Sequence, residues 1–212
     1  MTMMMMMMMM HKPHAGEHKD LIGLTNPCRL GITVANTMCL KYSNQETSVS
    51  IGESVRDEDV FIVQSVAPGQ VNEFDPHFAW DPRHDSGQTR FSFDLKVSAG
   101  AHGFVEWRDA AQPYRPGPRL AWDGEQLTAG GRDVGSLPVD TWVRVTMASG
   151  VGADKTATWS LTIAPYGGAA REYTDLPPMD AAWDSLRWLG FSSTADTATT
   201  LWLDNLTLEH IP

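Results

Sequence analysis

From residue 67 onward the sequence alternates apolar and polar residues in one short run after another. Phe91, Phe93, Leu95 and Val97 fall on one side of such a run, with Arg90, Ser92, Asp94 and Lys96 on the other. Val143, Val145 and Met147 alternate with Trp142, Arg144 and Thr146; Ala157, Trp159, Leu161 and Ile163 alternate with Thr158, Ser160 and Thr162. Successive side chains of a strand point to opposite faces, so a period of two describes a strand with one buried face and excludes an amphipathic helix. Asp123-Gly124, Gly130-Gly131 and Gly167-Gly168 punctuate these runs as turns. Asp180 to Leu186 offers a helical turn or two and no more. Many short strands without crossover helices predict a mainly β, antiparallel sandwich over residues 67–212, with Ala67-Pro68-Gly69 as the junction in front of it.

The residues before that junction have a different composition. Nine of the twelve methionines are Met1 and Met3 to Met10, whereas all eight tryptophans lie beyond residue 79. Residues 1–17 lack the basic start of a secretory signal and predict a disordered, Met-rich leader, which leaves the compartment open. His11, His14 and His18 have a loose ligand spacing, but Pro13 interrupts the helix that would align them. Residues 18–66 read as a second, incomplete unit and a poorly structured extension of the sandwich. Thr47 to Ile51 alternates weakly, and Val60-Phe61-Ile62-Val63 is a continuous apolar run suited to a strand buried on both faces, as at the opening of an α/β sheet. The 212 residues are 42% apolar, enough for a sizeable core, and no apolar run reaches membrane-spanning length. A net charge of −10 argues against general binding to nucleic acid or anionic membrane. Two cysteines, Cys28 and Cys39, make no disulfide framework, and nothing in the sequence fixes an oligomeric state.

The candidate chemistry is concentrated in one stretch. Glu106-Trp107-Arg108-Asp109, followed by a Pro/Gly loop carrying Tyr114 and Arg115, puts aromatic, acidic and guanidinium groups at a strand end. Sugars offer C–H faces to aromatic rings and hydroxyls to Asp and Arg, so Trp107, Arg108, Asp109, Tyr114 and Arg115 form a candidate glycan site. The competing reading places Trp107 in the core beside Val105, with Arg108 and Asp109 paired at the rim. Trp80 and Trp122 border loops and would extend a platform, while Trp142, Trp159, Trp183, Trp188 and Trp202 fit packing roles. Asp75, His77, Asp81, His84 and Asp85 crowd one loop without a recognisable metal-ligand spacing. Gly150 to Thr156 has the look of a phosphate loop but lacks the Gly before Lys155 and runs into a strand.

Two resemblances add to this reading. Tyr42-Ser43-Asn44-Gln45-Glu46-Thr47-Ser48-Val49, Ile51-Gly52-Glu53-Ser54-Val55-Arg56 and Asp59 to Ser65 closely resemble the N-terminus of eukaryotic ribose-phosphate pyrophosphokinases. The resemblance implies adenine contacts at Tyr42, Asn44 and Glu46. The phosphoribosyl loop, the flexible catalytic loop and the metal-binding His of that family do not follow. Thr89 to Leu95, Glu106 to Asp109, Tyr114-Arg115, Gly117-Pro118, Leu137-Pro138, Trp142-Val143, Trp188 to Phe191 and Leu203 to Leu206 resemble the concanavalin A-like, laminin-G-like jelly rolls of lectins and glycan-associated proteins. That second resemblance implies a jelly roll, a polysaccharide or glycan partner, and a structural calcium to which Asp204 would be a ligand. The Glu-x-Asp-x-x-Glu pattern of laminarinase-type glycosidases is missing. A polysaccharide-lyase arrangement would have to draw on Arg108, His102 and Tyr114. The sequence therefore predicts a non-catalytic carbohydrate-binding module, with a nucleotide-binding remnant or a structural interaction domain as alternatives.

Overall fold

A computed structural model of the chain describes residues 38–41, 48–53, 59–65, 77–195 and 197–212. The leader over 1–17, Tyr42, Asn44 and Glu46 lie outside the described residues. Strands account for nearly all the regular structure. They are β1 (Met38–Lys41), β2 (Ser48–Glu53), β3 (Asp59–Ser65), β4 (His77–Trp80), β5 (Gly87–Val97), β6 (His102–Arg108) and β7 (Pro116–Asp123), then β8 (Gln126–Ala129), β9 (Arg132–Ser136), β10 (Val143–Val151), β11 (Trp159–Pro165), β12 (Arg171–Leu176), β13 (Trp188–Ser193) and β14 (Thr199–Ile211). They form two seven-stranded sheets, ordered β1-β4-β13-β6-β7-β8-β9 and β12-β11-β10-β5-β14-β3-β2. The pairings are antiparallel throughout, which is the β-sandwich that the alternation implies.

The predicted turns fall where glycine is required. Gly124 joins β7 to β8, Gly130 and Gly131 join β8 to β9, and Gly167 joins β11 to β12, all at positive φ. The phosphate-loop look-alike is a single 3-10 turn, Gly152–Asp154, that leads back into a strand, and Asp180 to Leu186 forms turns without a helix.

The core lies between the sheets and is made by one side of each alternating run. Phe91, Phe93, Leu95 and Val97 of β5, Val143, Val145 and Met147 of β10, and Trp159, Leu161 and Ile163 of β11 meet Val105, Trp107, Leu120, Leu189 and Phe191 from the other sheet. Phe93 and Phe191 meet edge to face with centroids 4.9 Å apart, and Trp80 stands 5.7 Å from Phe91. Trp80 and Trp122, expected to extend a surface platform, are core residues instead. Trp122 enters because Gly103, across the β6–β7 pair, has no side chain to block its ring. Likewise a Cβ on Gly117 would run into the Trp183 indole.

The sheets run across the expected junction. β3 pairs with β14 from Thr199↔Ser65 to Leu203↔Phe61, and β1 pairs with β4 from Met38↔Trp80 to Lys41↔His77. The apolar run over residues 60–63 is a strand, as its sequence suggests, and lies between β2 and β14 in the second sheet. Its partners β2 and β14 are antiparallel, however, so the expected opening of an α/β sheet gives way to hairpin pairing within the sandwich.

At one side of the sandwich the edge strands β9 and β12 are tied together by side chains. Arg171 and Tyr173 of β12 donate to the carbonyls of Val134 and Ser136 on β9. Those bonds join the outermost strand of one sheet to that of the other and leave fewer edge carbonyls open to another chain.

Candidate functional site

Alternation on β6 decides what each residue of the candidate stretch can do. Val105 and Trp107 point inward, while Phe104, Glu106 and Arg108 point to the outer face of the first sheet. Trp107 is fully buried and lies 6.2 Å from the Trp183 ring, so it offers no face to a ligand. It is a core residue, against its expected place in the glycan site.

The outward residues form a compact charged cluster. Glu106 is 1% exposed although it faces outward, because two guanidiniums roof it. Arg108 Nε donates to one carboxylate oxygen at 2.5 Å and Arg119 to the other at 3.3 Å. The Arg119 guanidinium also lies 4.1 Å from the centroid of Phe104, covering that ring. Arg108 is held between two aromatics, 4.2 Å from the Tyr114 ring and 4.0 Å from Trp188. Tyr114 is half exposed, and Trp188 projects from β13 directly across from Arg108. Arg108, Tyr114 and Trp188 therefore make a rim of ring and guanidinium above a fully engaged carboxylate.

Asp109 has a different job from the one its sequence position suggests. Its buried carboxylate accepts from the backbone N–H of Ala111 at 3.0 Å and of Arg115 at 2.9 Å, and pairs with the Arg115 side chain. It holds the loop that presents Tyr114. Arg115 reaches on to Asp184 at 3.5 Å, on the segment leading into β13. Of the five residues singled out in the sequence, the structure puts Arg108, Tyr114 and Arg115 at the surface, Asp109 beneath them and Trp107 in the core. Trp188 is the member missed; its place opposite Arg108 depends on the β6–β13 register, which no local pattern reveals.

The trio that a lyase arrangement would draw on is not brought together, since His102 lies far from Arg108. His102 and Arg108 sit at opposite ends of β6, about 20 Å apart along the strand, and His102 pairs with Asp123 at 2.8 Å. The charged loop before β5 is likewise taken up. Asp81 pairs with Arg83, Asp85 with Arg187, and buried His84 stacks on His210 with centroids 4.1 Å apart while its Nδ1 meets Thr89 Oγ1 at 2.9 Å. Burial first, and the neighbouring His210 second, depress the His84 pKa from 6.5 to about 4, and Asp85 opposes them.

Asp204, the expected calcium ligand, is buried on the outer face of the second sheet, directly across from Asp94. Calcium needs about six to eight oxygens. Among the described residues no group of three His, Cys, Asp or Glu side chains comes together, so any further oxygens around Asp204 would have to be carbonyls, amides or water. Asp94 is committed elsewhere. It accepts from Arg144 at 3.3 Å, the Tyr166 hydroxyl at 2.8 Å and the Asn205 amide at 2.7 Å. Alternation alone would have put Asp94 in water, yet it is 1% exposed. Asn205 reaches it from a bulge on β14 where the backbone takes φ +49°, a conformation that Asn tolerates.

Comparison with known proteins defines the fold first. The marine PL-14 alginate lyase from Aplysia kurodai superposes with a TM-score of 0.54 and 10% identity, covering 77% of this chain and 87% of the lyase. The endo-β-1,4-glucuronan lyase from the fungus Trichoderma reesei gives 0.54 and 12% identity, over 81% of this chain and 90% of the enzyme. At that identity the likeness establishes the jelly-roll β-sandwich and nothing of the chemistry. The second finding concerns the N-terminal part. Residues 18–76 match the N-terminal domain of ribose phosphate pyrophosphokinase. Over 45 residues the chain is 53% identical to ribose-phosphate pyrophosphokinase 2 of Schizosaccharomyces pombe, and over 47 residues 49% identical to that of Saccharomyces cerevisiae. These stretches are 21% and 22% of this chain but only 14% and 15% of the two enzymes. The chain thus combines a stretch similar to the N-terminal part of ribose-phosphate pyrophosphokinases with a jelly roll, and it spans only a small part of the length of those relatives.

Proposed function

We propose that the chain is a non-catalytic, lectin-like carbohydrate-binding module that takes a glycan on the outer face of its first sheet. The observation that carries this reading is the Arg108 guanidinium fixed between the rings of Tyr114 and Trp188. Fixed guanidiniums supply paired donors for hydroxyl or carboxylate oxygens, and half-exposed Tyr114 supplies a ring for C–H stacking. Two facts favour binding over catalysis. Both oxygens of Glu106 are engaged by arginines, and the Asp109 carboxylate is spent on its own loop. Neither is placed to exchange a proton with a substrate. The polysaccharide lyases of the same fold are in keeping with a carbohydrate partner.

Affinity electrophoresis of the full chain through gels carrying neutral and acidic polysaccharides tests the reading. Retardation by at least one glycan, weakened about tenfold in a folded Tyr114→Ala variant, is the expected result. Retardation by none overturns it and leaves a structural or partner-binding domain.

The pyrophosphokinase match over residues 18–76 favours one alternative, a nucleotide-binding remnant with adenine contacts at Tyr42, Asn44 and Glu46. ATP binding that disappears in Asn44→Ala would support it, and absence of ATP binding would remove it.

A further inference from the structure

We infer that the outer face of the second sheet is a second glycan-binding surface, shaped for an uncharged polysaccharide chain lying across β10, β5 and β14. This inference does not depend on the first face; it rests on side chains from the opposite sheet.

The register lays out the surface in rows. At one end Trp142, just before β10, stands beside Lys96 on β5 and Trp202 on β14, with the Lys96 ammonium 5.2 Å from the first ring and 4.4 Å from the second. Strands two apart put the indoles about 10 Å from each other, and half-exposed Tyr166 flanks them at the end of β11. The next row holds Asp204, Asp94 and Arg144, with Arg144 pairing to Asp94. Beyond it hydroxyls fill the middle, bordered by Glu172 opposite Thr162 and by Arg90 facing Glu209. Ser92 and Thr146 are bonded at 3.0 Å, Thr162 lies opposite Thr146, and Thr207 lies opposite Ser92. The far end opens into a cleft of about 220 Å³ lined by Gln88, Ser149, Thr156, Thr158, Ser160 and Thr174. From the Trp142 row to the Ala148 row is six residues, or about 20 Å.

This chemistry selects its occupant. Rings at one end suit the C–H faces of pyranoses, and a strip of Ser, Thr and Gln groups both donates and accepts, as sugar hydroxyls do. A polyanion is a poor fit, because Lys96, Arg144 and Arg90 are outnumbered on this face by Asp94, Asp204, Glu172 and Glu209, and the chain as a whole carries −10. A protein partner would call for an apolar centre, and the centre here is hydroxyl and paired charge. The two outer faces point away from each other across the sandwich, so a module occupied on both would bridge two polysaccharide chains.

Full-length protein is run in gels containing mixed-linkage β-glucan, xyloglucan, glucomannan or polygalacturonate, as wild type, Tyr114→Ala, Trp202→Ala and the double variant. Lys96→Met, which keeps the packing between the two rings, and Thr162→Arg, which adds bulk to the middle of the strip, stand in should Trp202→Ala unfold. The expectation is an affinity for at least one neutral glycan that falls about tenfold on Trp202→Ala or Thr162→Arg in the Tyr114→Ala background. Polygalacturonate retardation should be insensitive to those changes. If folded second-face variants migrate as their parents do in every neutral gel, the inference is overturned, whatever Tyr114→Ala does. If they lose binding while Tyr114→Ala alone changes nothing, this inference stands and the first-face reading falls.

Discussion

The two outer faces of the sandwich solve the same problem with different materials. Each buries a carboxylate at a position that alternation assigns to solvent, Glu106 on β6 and Asp94 on β5, both 1% exposed, and the second face buries Asp204 beside Asp94. Glu106 is roofed by two guanidiniums, one of them clasped by Tyr114 and Trp188. Asp94 is roofed by one guanidinium, a phenol and an amide. The first solution leaves a rim of cation and ring, and the second leaves a hydroxyl strip closed by two tryptophans around Lys96. The difference teaches that on a β-sandwich the buried acid positions the long side chains above it, and those side chains are what a ligand would meet.

That distinction is open to attack at several points. The largest effect should come from confusing core with rim. Trp107→Ala removes a fully buried indole and is expected to cost about 3–5 kcal/mol, seen as a large fall in the denaturation midpoint, whereas Trp202→Ala on the outer face should cost clearly less. Next come the two acids. Glu106→Ala strands two guanidiniums and is expected to cost about 3 kcal/mol in urea denaturation. Asp94→Ala strands one guanidinium plus neutral donors that water can reach, so about 2 kcal/mol is expected. The reverse order would show that the two roofs have been misjudged.

Acid provides a smaller effect confined to one sheet. His84 has a folded pKa lowered from 6.5 to about 4, so between those values the unfolded chain binds the proton and the folded chain does not. Its stabilising contribution is complete above pH 6.5 and declines as the pH falls toward 4, by about 2 kcal/mol at pH 5. His84 stacks on His210 near the end of β14, so amide exchange there should accelerate at pH 5 before that of β6. His84→Phe should flatten the dependence. Smallest of all in stability is Tyr114→Ala, expected within about 0.5 kcal/mol of wild type because the ring is half exposed.

Much of the fold was legible because it is written in period two. The inward rows of β5, β10 and β11, and the glycine turns after β7, β8 and β11, stand where the alternation and the turn residues put them. Cross-strand facts were not legible. Trp188 meets Arg108 only through the β6–β13 register, and Trp107 looked like a ligand contact because its neighbours in sequence are charged. Asp94 shows the same limit, since alternation gives the direction of a side chain and says nothing of what covers it. The apolar run over residues 60–63 was legible as a strand, but its partner could not be, because pairing with β14 spans the length of the sandwich.

The most direct test of the central claim is affinity electrophoresis of full-length wild type beside Tyr114→Ala, with matched denaturation midpoints. The account predicts that the wild type is retarded by at least one polysaccharide and that the variant, equally stable, loses about tenfold or more of that affinity. Equal retardation of the two proteins in every gel would contradict it, because the rim above Glu106 would then be packing alone.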